Sequence, residues 1–246
     1  FEDVLDGNNG LCHFFGLKFG RTFGHGRLVF VNRQHFILRV GAALFVGLSG
    51  GLGTGAVLAQ TAPTILVLGD SLSAEYGLKR GEGWVALLEK RLAQEKIAAR
   101  VVNASVSGET TSGGRSRLPA LLKQHQPTHV VIELGGNDAL RGLPLANTED
   151  NLRFMTEAAQ KAGAKVLLVG MQVPPNYGGD YTKRFGDLFA KVAQARKAAV
   201  VPFFLKGVAD GPHATAMFQP DRIHPRAEAH PAMLDNVWPE LRKLLR

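Results

Sequence analysis

Four short patterns in the chain carry residue types that could do acyl-transfer chemistry. Ser71 follows an apolar run, in Ile65-Leu66-Val67-Leu68-Gly69-Asp70-Ser71-Leu72. A serine on a tight strand-to-helix turn presents its hydroxyl away from the backbone, close to the N–H groups that open a helix. Alone, Gly-Asp-Ser is equally ordinary turn and N-cap chemistry. Near the other end stands Asp221-Arg222-Ile223-His224-Pro225. An Asp three residues before a His can accept from one imidazole nitrogen and leave the other to take a serine proton. Asp210-Gly211-Pro212-His213 repeats that spacing, but its Gly-Pro reads as a surface turn. His125, His129 and His230 lack an acid at this spacing and read as surface or packing residues.

Two glycine-containing patterns lie between. In Ser107-Gly108-Glu109-Thr110, Gly108 lets the chain approach a ligand and aim a backbone N–H at it, although a loop leading into a Thr-capped helix fits as well. In Gly135-Gly136-Asn137-Asp138, the Asn137 amide could donate to an oxygen that gains negative charge, a contribution of roughly 3–4 kcal/mol where such donors are found. Asp70 and Asp138 read as acceptors that stabilise their turns.

These patterns are useful only if the fold brings them together. From Thr64 onward, β-branched runs alternate with amphipathic stretches. Strand candidates are 65–68, 101–102, 130–134, 166–169 and 200–204. Helix candidates lie over Trp84 to Leu92 and around 113–124, 147–162, 182–197 and 226–245. Near-continuous apolar strands separated by helices predict a parallel sheet covered on both faces, a three-layer α/β/α domain over residues 60–246. Sites in open parallel sheets form at the carboxyl ends of strands, and all four patterns follow a strand candidate.

Composition narrows the alternatives. The formal net charge of +8 is spread out, without a run of like charges or a basic stripe interleaved with aromatics, so nucleic-acid binding has no support and membrane contact is expected to be peripheral at most. Cys12 is the single cysteine, which precludes an intrachain disulfide and a cysteine metal site. Residues 40–59 are uncharged and largely apolar behind Arg33 and Arg39, with Val57 and Ala59 at the small-residue positions before a signal-peptidase cut. Residues 31–59 therefore read as a cleavable export signal with the cut after Ala59, and the expected location is periplasmic. A membrane anchor is the competing reading, weakened by six glycines within the stretch. Residues 1–30 show no sustained period and read as a non-structural upstream extension.

Taken together, Ser71, Gly108, Asn137 and His224 resemble the four-block signature of the SGNH (GDSL) hydrolase family. Around the blocks, residues 103–110, 117–122, 133–138 and 174–178 resemble its bacterial periplasmic thioesterase I, lysophospholipase and arylesterase group. The resemblance covers essentially 64–245. It implies a flavodoxin-like five-stranded sheet, catalysis without metal or other cofactor, and an oxyanion hole made by the backbone N–H groups of Ser71 and Gly108 with the Asn137 side chain. It also implies a loop over the acyl chain at 140–145. Two departures are visible: Arg226 where relatives often have Asn, and Arg222 in place of a common Gly.

The expected substrate is a small-molecule or lipid ester or thioester of a single acyl chain, with Ser71, Asp221 and His224 as the catalytic set. Leu140, Leu143, Leu145, Met171, Val173, Pro174, Tyr177 and Ile223 could wall an acyl groove near the strand ends. A carbohydrate acetyl-esterase on the same frame is the nearest alternative. A non-catalytic α/β binding module is a more distant one, since no phosphate-cradling glycine pattern follows the first strand. The sequence leaves acyl-chain length, the preference between ester and thioester, and oligomeric state open.

Overall fold

The computed structural model describes residues 62–246. The readings of residues 1–30 as an extension and 31–59 as an export signal lie outside the described residues. The apolar runs become five strands: β1 (Thr64–Gly69), β2 (Arg100–Asn103), β3 (His129–Glu133), β4 (Lys165–Val169) and β5 (Ala199–Val201). All pair in parallel, in the order β2-β1-β3-β4-β5. That is the flavodoxin-like order, in which the connections reverse direction between β1 and β3 and open a crevice beyond those two strand ends.

Every residue of β1 and β3 is buried, which explains why Ile65 to Leu68 and Val130 to Ile132 read as unbroken apolar runs instead of alternating. Helices α2 (Thr111–His125), α4 (Leu145–Lys161) and α5 (Gly179–Arg196) pack side by side on one face, and α1 (Trp84–Gln94) pairs with α6 (His230–Leu244) on the other. The Trp84 backbone N–H donates to buried His230 Nδ1 at 3.0 Å, tying the start of α1 to the start of α6. Burial holds the His230 imidazole down to about 4 and keeps it neutral, as this acceptor role requires. Among the described residues no helix is long and apolar enough to cross a membrane.

Two expectations change in detail. The fifth strand stops at Val201 instead of continuing to Phe204, because Pro202 has no N–H for the ladder and turns the chain away. The Gly-Gly-Asn-Asp segment, read as a turn, opens a five-residue helix, α3 (Gly136–Leu140). Gly135 at φ +122° supplies the backbone conformation that starts it.

Candidate active site

Ser71 lies two residues beyond β1, on a tight turn closed by the intervening Asp70. The Asp70 carbonyl accepts the Ser73 and Ala74 N–H groups at 3.2 and 2.9 Å, and its carboxylate Oδ1 accepts Leu72 N–H at 3.0 Å. The turn sits hard against β3. A Cβ on Gly69 would lie 2.6 Å from Ser73 Oγ and 2.9 Å from Glu133 Oε2, so only glycine lets β1 end here. Among the described residues neither the Ser71 nor the Gly108 backbone N–H donates within the chain, which leaves both available to a ligand.

The other half comes from an irregular stretch after β5. Phe218 pairs antiparallel with Pro225, Gln219 N–H donates to His224 O at 2.8 Å, and Arg226 N–H donates to Met217 O at 2.8 Å, closing a hairpin whose tip carries Asp221. Asp221 Oδ1 accepts the Ile223 and His224 N–H groups, each at 3.0 Å, and Oδ2 lies 2.7 Å from His224 Nδ1. The Ile223 N–H above all, then the imidazole and N–H of His224, holds the Asp221 carboxyl down to about 2, so it remains ionised across the working range of a hydrolase. With Nδ1 committed to Asp221, His224 Nε2 faces Ser71 Oγ at 2.9 Å. Serine, imidazole and carboxylate form one continuous line across a sequence separation of 153 residues.

Two further side chains pin this hairpin. The Tyr76 ring lies against the His224 imidazole, with centroids 4.2 Å apart. Gln219 Nε2 donates to Tyr76 O at 2.9 Å and to Pro225 O at 3.1 Å. Neither residue carries a local sequence signal, since each acts on a partner far away in the chain. Arg222 adopts the left-handed conformation, φ +59°, which explains why a glycine suits this position.

The remaining predicted groups divide cleanly. Gly108, at φ +76°, follows Val106, whose N–H donates to Gly69 O at 3.0 Å, and Asn137 Nδ2 donates to Asp70 Oδ2 at 3.0 Å. One amide N–H is thereby used and the other left over. Thr110 caps α2 through Gly113 N–H at 3.3 Å, so the helix-capping reading of that segment also holds. Asp138 accepts the Thr111 N–H at 2.8 Å and the Thr148 hydroxyl at 3.3 Å, locking α3 to α2 and α4. His213, of the decoy pattern, is exposed. His129 is buried within hydrogen-bonding distance of Leu244 O. Among the described residues no group of three or more His, Cys, Asp or Glu side chains is placed to hold a metal.

The expected acyl-groove residues separate by burial. Leu140, Pro174, Tyr177 and Ile223 are exposed and Leu143 is half-buried. Val173 and Met171, by contrast, are each only 7% exposed within the core, which leaves them little surface to offer a ligand. Both follow β4 closely enough to be drawn into the layer between sheet and helix. Leu145 also packs against the core, at the start of α4.

Comparison with known proteins agrees with this geometry. The GDSL-like lipase/acylhydrolase family matches residues 67–232. The chain is 54% identical over 184 residues to the esterase TesA of Pseudomonas aeruginosa, covering 75% of this chain and 90% of that one. It is 42% identical over 187 residues to the thioesterase 1/protease 1/lysophospholipase L1 of Escherichia coli K12, covering 76% and 87% respectively. The crystal structure of AlinE4, an SGNH-hydrolase family esterase, superposes with a TM-score of 0.62 at 39% identity, covering 76% of this chain and 98% of that one. A serine, an imidazole and an acid aligned at the switch point of a flavodoxin-like sheet, with these relatives, place the chain in the GDSL-like lipase/acylhydrolase family.

Proposed function

We propose that the chain hydrolyses carboxylic esters and thioesters of single acyl chains through an acyl-serine intermediate. The reading is carried by the Ser71–His224–Asp221 line, with its 2.9 and 2.7 Å contacts. His224 Nε2 takes the Ser71 proton as Oγ attacks the carbonyl, and Asp221 holds the ring orientation and stabilises the imidazolium. The carbonyl oxygen becomes an oxyanion facing the Ser71 and Gly108 N–H groups and the uncommitted Asn137 amide hydrogen. His224 then protonates the leaving alcohol or thiol and later activates water against the acyl-enzyme.

An apolar acyl group is favoured by the distribution of exposed side chains. Among the described residues, the large exposed apolar groups are Tyr76, Val106, Leu140, Phe154, Tyr177 and Ile223. All except Phe154 stand on segments that follow strand ends, and Phe154 lies under the Arg115 guanidinium on α4. Apolar surface gathered on the catalytic side of the sheet suits a fatty or aryl group better than a sugar. Export through residues 31–59 is part of the same proposal, and N-terminal sequencing of the mature protein tests it: a start at Gln60 supports it and retention of 31–59 refutes it.

The direct test is turnover of p-nitrophenyl esters of two to twelve carbons by the full chain and by Ser71→Ala. Hydrolysis that Ser71→Ala removes, with a peak at medium or long chains, is the expected result. No turnover in either protein would indicate a binding module, and an acetyl-only profile would favour carbohydrate deacetylation.

A further inference from the structure

Behind the nucleophile turn lies a buried polar group that the proposed mechanism does not use. Asp70 is 3% exposed, Glu133 2% and Ser73 1%, and the Trp84 ring is fully buried beside them. The hydrogen positions follow from the donor inventory. Trp84 Nε1 can only donate, and it does so to Ser73 Oγ at 3.0 Å. Ser73 must therefore send its single proton onward to Glu133 Oε2, at 2.7 Å. Glu133 Oε2 also receives the Asp70 N–H, at 3.4 Å. Asp70 in turn is an acceptor on both oxygens, from Leu72 N–H on Oδ1 and from Asn137 Nδ2 on Oδ2.

Two carboxyl groups thus meet in the core, and among the described residues no basic side chain bonds to either. Like charges at such a distance cannot both be kept away from water, so the pair must hold a proton. Burial, and then repulsion from Asp70, raises Glu133 well above the ordinary carboxylate range, and burial lifts Asp70 to about 6. The other titratable side chain facing Asp70 is His224, whose attraction in its imidazolium form, like the hydrogen bonds from Leu72, Asn137 and Glu133, works against that rise. Glu133 is accordingly the proton holder, and Asp70 the carboxylate that Asn137 addresses.

We propose that Asp70 and Glu133 act as a proton-sharing pair that aims the Asn137 carboxamide, which makes Asp70 a positioning residue of the oxyanion hole instead of a turn acceptor alone. The inference rests on the ester-hydrolase reading above. One N–H of Asn137 is fixed on Asp70, so the planarity of the amide fixes the direction of the other. Once Asp70 is protonated, that anchor weakens and the donor loses its aim. Turnover therefore falls as pH drops through about 6, in addition to any loss from protonation of the base. Stability runs the other way. The folded pair retains protons that the unfolded chain releases from its ordinary carboxylate range upward, so the pair's contribution to stability declines as pH rises through about 6.

The experiment measures kcat, KM, the pH profile and Tm of the full chain, of Asp70→Asn and of Glu133→Gln. Asp70→Asn is expected to lower kcat by roughly 10–100-fold with little change in KM, since a misaimed donor is felt mainly in the transition state. Glu133→Gln can still accept from Ser73 and donate to Asp70, but it has no proton to share. Because an amide N–H donates more weakly to Asp70 than the Glu133 acid does, its acid limb should move to higher pH, and its Tm should exceed that of the parent by a margin that widens from pH 5 to pH 8. A residue with only a structural role would lower Tm and leave the acid limb in place. Full kcat in Asp70→Asn, or an unmoved acid limb together with a pH-independent Tm difference in Glu133→Gln, would overturn the proposal. No ester turnover in the parent chain would instead be the failure of the hydrolase reading. If Asp70→Asn does not fold, the Glu133→Gln profile and the infrared carboxylic-acid band of the parent, expected to vanish in Glu133→Gln, decide the matter.

Discussion

The two halves of the site are held by different physics. The nucleophile half grows out of β1 and β3, in the middle of the sheet, and its polar groups Asp70, Ser71, Ser73 and Glu133 are all buried. The base half rides on an exposed hairpin after the edge strand β5, closed by an isolated bridge and a few hydrogen bonds. Close packing fixes Ser71, because any shift of its turn would collide with β3. His224 depends instead on specific contacts with Asp221, Gln219 and Tyr76. Changes on the hairpin should therefore be felt in activity with little cost in stability, whereas changes under Ser71 should be felt in both.

The sharpest break in this contrast would come at Asp221. Asp221→Asn retains an oxygen for the Ile223 and His224 N–H groups but turns the imidazole to the wrong tautomer, and kcat should drop by about 10⁴-fold, the scale known for such a change in other serine hydrolases. Thermal melting should show Tm nearly unchanged; a large fall in Tm would mean that the hairpin is part of the core after all. Gln219→Ala comes next. It removes the bonds to Tyr76 O and Pro225 O, together worth about 1–2 kcal/mol in a half-exposed setting, so kcat should fall roughly tenfold. Tyr76→Ala removes the ring against His224 and should cost about three- to tenfold, with Tyr76→Phe recovering most of it; equal losses in both variants would assign the effect to the hydroxyl instead of the stacked face. The smallest effect is expected at Arg222. Arg222→Gly relieves a left-handed backbone and should stabilise the hairpin by up to about 1 kcal/mol, visible as a small rise in Tm, and a fall would mean that the arginine side chain contributes a contact.

The same contrast explains how much could be read from the sequence. Gly69-Asp70-Ser71 and Asp221 to His224 were legible because each motif satisfies itself locally, through an Asx-type turn or a carboxylate three residues from an imidazole. The sheet was legible because buried parallel strands are written as apolar runs. Glu133 was hidden by the same rule: it looks like the polar end of Val130-Val131-Ile132, and only the closure of β1 against β3 reveals an acid facing another acid. An acid between Ile132 and Leu134 in an otherwise apolar run was the one available clue. Tyr76 and Gln219 meet across 143 residues and leave no periodic trace. The short α3 was missed because its five residues are too few to show a helical period, and the burial of Val173 was not legible because exposure cannot be inferred from loop position alone.

The bond between the Trp84 N–H and His230 has a consequence for the order in which the protein matures. Chain growth delivers Ser71 ahead of the imidazole by 153 residues, and the imidazole comes just before the helix that His230 anchors back onto α1. A nascent or prematurely terminated chain would hold its serine and oxyanion donors without a base to arm them. Hydrolytic competence would switch on only when α6 docks, so a half-made molecule would pass acyl esters by.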